Sequence, residues 1–125
     1  MYKIEKINGN KFFVKLIGTF PPSIANKFSK EFLELTKNLD SFSVIVDVVD
    51  GVFLKLDSIE IVLDLLSETN KKLIKSSFLV PFNPPLKEEI KYVLEKADSP
   101  KRKIVYSLDE AKEWIGISDI IIRKD

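Results

Sequence analysis

Cysteine and histidine are both absent from this chain of 125 residues. Without them the chain has no thiol nucleophile, no imidazole base and no ordinary set of zinc ligands. No disulfide can form either, which is consistent with a reducing compartment. These absences remove most of the side chains on which enzymes depend. We therefore expect a protein that is not an enzyme and that carries neither a metal nor another cofactor.

Arginine is scarce, since Arg102 and Arg123 are the only two, and the 20 basic residues nearly balance the 19 acidic ones. A net charge of +1 creates no field that would attract nucleic acid or an anionic membrane. The first residues contain no long apolar run and predict neither a signal peptide nor a membrane span. We predict a cytoplasmic protein with no nucleic-acid partner and no membrane association.

Hydrophobic residues make up 45% of the chain and charged residues 31%, which is ordinary for a globular protein. A domain of this length buries roughly two-thirds of the surface of its extended chain. No linker or internal repeat divides the sequence. We therefore predict one domain over residues 1–125.

The first forty residues predict a β-hairpin followed by a helix. Residues 2–7 alternate between polar and apolar side chains, Asn8-Gly9 favours a tight turn, and residues 11–17 resume an extended apolar run. Pro21-Pro22 then ends the strand, and Ser23 is a plausible N-cap for the helix that follows.

The remaining residues alternate between strands and helices. The run "SVIVDVV" predicts a central strand, and helices are predicted after Asp57, within "NPPLKEEIKYVLEKA" and after Ser107, whose spacing from Glu110 suits a capping box. The order is ββαβαβαβα, which predicts an α/β fold with a mixed sheet, parallel except for its hairpin. In the tail 117–125, the apolar residues 120–122 predict either a further strand at the sheet edge or a homodimer contact.

Three stretches of sequence carry a resemblance to a known family. The first is "VDVVDGVFLKLDS", where a strand ending at Asp47 leads to Asp57-Ser58 at the start of a helix. The second is "FLVPFNPPLKEEI", with Asn83 between strand and helix, and the third is "YSLDEAKEWI", with the small residue Ala111. In this order they resemble the STAS domains, named for sulfate transporters and anti-sigma-factor antagonists, and their SpoIIAA-like members.

The resemblance implies a regulatory module that binds another protein. In the antagonist branch, a serine at the start of the second helix is phosphorylated and its state selects the partner, and Ser58 is the matching position. Ile59 and Glu60 follow it here, where that branch has small residues. The resemblance places the partner-binding surface around the turn before this helix, at Asp50, Gly51, Lys55, Asp57, Ser58 and Asn83.

Two other interpretations of the same turn rest on its residues alone. Asp57 and Glu60 have the spacing of a capping box, which would make Ser58 an exposed residue of the first helical turn. Asp47, Asp50 and Asp57 could also bind a magnesium ion, but the sequence has no acidic residues after its first strands to complete such a site.

A different class of function is a carrier for a small apolar ligand. The chain contains nine phenylalanines, which could line a pocket between the sheet and its helices as readily as they could fill a core. The candidates for the pocket are Phe12, Phe13, Phe28, Phe32, Phe78 and Phe82.

Overall fold

The computed structural model of the chain describes residues 1–52, 55–82 and 84–118. Its strands are β1 (Tyr2–Asn8), β2 (Lys11–Leu16), β3 (Phe42–Asp47), β4 (Leu73–Leu79) and β5 (Arg102–Val105). Its helices are α1 (Pro22–Thr36), α2 (Leu56–Thr69), α3 (Pro84–Ala97) and α4 (Leu108–Ile115). The predicted order ββαβαβαβα is confirmed.

The five strands form one mixed sheet in the order β1-β2-β3-β4-β5. β1 runs antiparallel to β2, and the pairs β2–β3, β3–β4 and β4–β5 are all parallel. Gly9 has a φ of +52° in the two-residue turn of the hairpin, a conformation that glycine adopts without steric cost. The predicted hairpin and parallel crossovers are therefore both present.

Successive residues of the strands face opposite layers of helices. Phe12, Val44 and Phe78 face the layer formed by α1, α2 and α3, whereas Phe13 and Ile45 face the side on which α4 packs. The β-branched run of β3 is buried because helices cover both of its faces. One side of the sheet thus holds a thick three-helix layer, and the other holds α4.

The helix starts differ from the sequence prediction in two of three cases. Pro21 occupies the N-cap of α1, so Ser23 lies inside the first turn, as the preference of proline for these positions favours. Lys55 occupies the N-cap of α2, so the predicted capping box of Asp57 and Glu60 is wrong. The Ser107 cap of α4 is confirmed, since its hydroxyl accepts a hydrogen bond from the Glu110 amide.

None of the helices within the described ranges is long and apolar enough to cross a membrane. Asn83 and residues 119–125 lie outside the described residues. The predictions of a strand or a homodimer contact at residues 120–122 therefore stay predictions.

Candidate functional site

The parallel strands β2, β3, β4 and β5 end at the same edge of the sheet, which we call the carboxyl edge. Its described parts are residues 17–20, 48–52, 55–58, 80–82 and Tyr106, which follow the strands or open α2. In parallel α/β sheets this edge is where binding sites usually form, because the loops converge there. Asp50, Gly51, Lys55, Asp57 and Ser58, all predicted from the sequence, lie here.

The loops after β2 and β3 are joined by backbone hydrogen bonds. The Gly18 amide donates to the Asp50 carbonyl at 2.9 Å, and the Val52 amide donates to the Gly18 carbonyl at 3.1 Å. Gly18 has a φ of +68°, and a Cβ added at Gly51 would lie 3.2 Å from the Val48 carbonyl oxygen. Glycine is therefore favoured at residue 18 by its backbone conformation and at residue 51 by the limited space beside its own loop.

The acidic residues of this edge have separate structural roles. Asp47 is fully buried, and its Oδ1 accepts a hydrogen bond from the Val49 amide at 2.9 Å. Asp50 is more exposed and forms an ion pair of 3.2 Å with Lys15. The described residues contain no group of three or more acidic, histidine or cysteine residues that could hold a metal ion. Lys55 and Asp57 are exposed at the start of α2.

Ser58 is fully buried, and its hydroxyl donates a hydrogen bond of 2.7 Å to the carbonyl of Phe20. The capping-box interpretation expected an exposed side chain here and is wrong on this point. The assignment of Ser58 as a phosphoacceptor stays a prediction. Ser58 lies in the first turns of α2, and its hydrogen bond to Phe20 ties the helix to the loop after β2.

Large hydrophobic side chains are exposed along the carboxyl edge. Of the eight such side chains in the described residues, five lie here, and we call them the apolar rim: Met1, Ile17, Val52, Leu56 and Phe82. Met1 belongs to this edge because its carbonyl accepts a hydrogen bond of 2.8 Å from the Ile17 amide. Leu56 is 65% exposed and Phe82 is 78% exposed. Such a concentration of apolar surface is typical of an interaction site.

The ring of Phe82 stacks on that of Tyr106, with centroids 5.0 Å apart and an interplanar angle of 6°. The Nζ of Lys87 lies 5.2 Å from the Tyr106 centroid. A side-chain hydrogen bond with Tyr106 raises the pKa of Lys87. Phe82 was predicted from the sequence to line an internal pocket. This prediction is wrong, because the ring lies beyond the end of β4 and is exposed.

A cavity of about 70 Å³ does lie between the sheet and the layer of α1, α2 and α3. Phe28, Phe32 and Phe78 line it, whereas Phe12 and Phe13 do not. The carrier hypothesis is thus correct in placing an apolar cavity here. Its volume is far below the roughly 300–1,000 Å³ of sites for drug-sized ligands.

No model of a known protein family matches this sequence, and no curated protein sequence matches it either. Solved structures do match the fold. An uncharacterized protein of the DUF3478 family from Shewanella loihica PV-4, which has a SpoIIAA-like fold, matches with a TM-score of 0.71 at 14% identity, over 92% of each chain.

The anti-sigma factor antagonist SpoIIAA, in its unphosphorylated form, matches with a TM-score of 0.61 at 10% identity, over 88% of this chain and 92% of that one. The chain described here therefore has a SpoIIAA-like fold, and its resemblance to STAS domains is confirmed at the level of fold.

Proposed function

We propose that this protein is a non-enzymatic regulatory module of the cytoplasm that binds a protein partner through the carboxyl edge. The observation that carries the proposal is the apolar rim. Five exposed hydrophobic side chains meet at the edge that the loops after the parallel strands build. The name of SpoIIAA, an antagonist of an anti-sigma factor, supports the same class of function by likeness of fold.

The chemistry of the rim suits a protein surface better than a small polar ligand. Phe82 and Tyr106 offer a flat aromatic stack, and aromatic residues dominate the binding energy of protein interfaces. Asp50, Lys55 and Asp57 add exposed charges of both signs to the same edge. An apolar centre with a charged periphery is the usual composition of an interface.

Phosphorylation of Ser58 is not part of this proposal. The hydroxyl is fully buried against the Phe20 carbonyl, so a kinase would have to open the start of α2 to reach it. Regulation through this surface would instead act on exposed residues of the rim.

We expect Phe82→Ala and Leu56→Ala to weaken partner binding by roughly fivefold or more each, because truncating a hot-spot residue of an interface costs more than about 1 kcal/mol. The tagged protein would be used to isolate its partner from the native cells. Affinities of the purified pair would then be measured by isothermal titration calorimetry.

Leu35→Ala is the matched control, because Leu35 is also an exposed leucine but lies in the last turn of α1, near the opposite edge of the sheet. It should bind as the wild type does. If all three variants retain wild-type affinity while remaining folded, the partner does not use the apolar rim and the proposal fails.

A further inference from the structure

The outer edge of β1 is open among the residues that the structure describes. β1 is the first strand of the sheet, and no strand within residues 1–52, 55–82 and 84–118 pairs with its outer side. A strand edge of this kind presents a row of N–H and C=O groups that can pair with a further strand.

The hydrogen bonds between β1 and β2 show which of these groups point outward. The Met1 ammonium donates to the Ile17 carbonyl at 3.0 Å, and the Ile17 amide donates to the Met1 carbonyl at 2.8 Å. Hydrogen-bonded pairs alternate with non-bonded pairs along an antiparallel ladder. In the register of β1 and β2, the non-bonded residues of β1 are therefore Tyr2, Ile4 and Lys6. Their backbone N–H and C=O groups point away from β2.

A groove of about 340 Å³ lies between this edge and α1. Residues 1–4 line it from the strand, and Ile24, Lys27 and Glu31 line it from the helix. The three helix residues are spaced three and four apart, so they share one face of α1. Lys27 and Glu31 are exposed and Ile24 is half-buried. A strand added to β1 would therefore lie against this face and place alternate side chains beside Ile24 and Lys27.

The charges around the groove favour an acidic occupant. The charged residues that line it are Lys3, Lys27 and Glu31. Glu31 already accepts a hydrogen bond of 2.8 Å from the Tyr2 hydroxyl. Lysines on an edge strand discourage pairing with uncharged apolar strands, whereas opposite charges on neighbouring strands stabilise a pair. The lysines of this edge therefore favour an acidic strand over an apolar one.

We propose that the groove between β1 and α1 binds an extended acidic segment of a partner protein, which pairs with β1 as a further strand of the sheet. Main-chain hydrogen bonds to Tyr2, Ile4 and Lys6 provide affinity, and contacts of alternate side chains with Ile24 and Lys27 provide specificity. The groove volume of about 340 Å³ lies within the usual range of binding sites, unlike the cavity of about 70 Å³ in the core.

This groove is largely separate from the apolar rim, so the inference goes beyond the proposed function. Met1 lines one end of the groove and also belongs to the rim, whereas Leu56 and Phe82 do not line the groove. Phe82→Ala and Leu56→Ala should therefore leave binding in the groove unchanged, and the two proposals can be tested separately.

Titration of the ¹⁵N-labelled full chain with the peptide acetyl-Val-Glu-Val-Asp-Val-Glu-amide, followed by heteronuclear NMR, tests the proposal. We expect saturable shifts centred on the amides of Tyr2, Ile4 and Lys6, and slower hydrogen exchange at the same amides. A copy of the peptide with lysine at each acidic position should bind severalfold more weakly. A copy with every backbone amide N-methylated should bind at least about tenfold more weakly, because it has lost all its donors to β1.

One pair of variants locates the site. Lys27→Glu reverses the charge that α1 presents to the groove. It should weaken binding of the acidic peptide severalfold and strengthen binding of the lysine peptide. Lys91→Glu is the matched control, because Lys91 is an exposed lysine of α3, a helix that does not line the groove. It changes the net charge equally and should bind the acidic peptide as the wild type does.

No saturable shift at millimolar acidic peptide would overturn the proposal. Equal binding of the acidic and lysine peptides would overturn the charge assignment, and equal losses in Lys27→Glu and Lys91→Glu would show attraction to the net charge alone. Slow hydrogen exchange at Tyr2, Ile4 and Lys6 in the chain without peptide would show an edge that is already paired. Dependence of that protection on protein concentration would assign the edge to a second copy, and independence would assign it to another segment of the same chain.

Discussion

Ser58→Asp is expected to destabilise the fold by about 3–5 kcal/mol, instead of acting as a mimic of a phosphorylated state. The substitution places a carboxylate where the Ser58 hydroxyl is fully buried and donates to the Phe20 carbonyl at 2.7 Å. An ionised carboxylate cannot donate to that oxygen, and its charge would have no partner there. Urea denaturation followed by circular dichroism measures the change in the free energy of unfolding.

Ser23→Asp is the matched control, because Ser23 is an exposed serine in the first turn of α1. An acidic residue at that position interacts favourably with the helix dipole, so stability should change by less than about 1 kcal/mol. Ser58→Ala should cost about 1–3 kcal/mol, since it leaves the Phe20 carbonyl without its donor. Wild-type stability of Ser58→Asp would show that Ser58 is exposed in solution, and phosphorylation there would have to be reconsidered.

Phe12→Ala is expected to cost about 3–5 kcal/mol of stability. Phe12 is 1% exposed, and its ring packs edge to face against Phe32 and Phe42 at centroid distances of 5.7 and 6.3 Å. The substitution therefore removes buried apolar surface and two aromatic contacts, and leaves a cavity in the core. The midpoint of urea denaturation should fall accordingly.

The control for this prediction is Phe82→Ala, which deletes the same atoms from a side chain that is 78% exposed. It removes the stack on Tyr106 from a mostly exposed ring, and we expect a change within about 1 kcal/mol. The pair separates the contribution of phenylalanine to the core from its contribution to the surface. Equal destabilisation by both variants would contradict the assignment of Phe82 to the apolar rim.

The order of strands and helices could be predicted because each element carries its own local pattern. The β-branched run of β3 indicates a strand covered on both faces, and Asn8-Gly9 indicates the hairpin. The Ser107 cap was predicted correctly for the same reason, since its partner Glu110 lies three residues away. Local spacing alone is not sufficient, since Asp57 and Glu60 have the same spacing but do not cap α2.

The side-chain orientations that the sequence did not reveal depend on contacts between distant residues. The orientation of Ser58 is set by a carbonyl 38 positions earlier in the chain, which no local pattern reveals. Phenylalanines near strand ends present the same difficulty, because Phe78 lines the cavity while Phe82, four residues later, is exposed. The placement of the carboxyl edge was predictable from the topology, but the exposure of each side chain on it was not.

The segment of residues 17–20 joins three parts of the molecule through short hydrogen bonds. Ile17 donates to Met1, Gly18 donates to Asp50, and the Phe20 carbonyl accepts from Ser58. A molecule that displaced any one of these contacts would loosen the support of the other two. Amide hydrogen exchange at the N-terminus, in the loop after β3 and in the first turn of α2 should therefore respond together when the carboxyl edge is occupied.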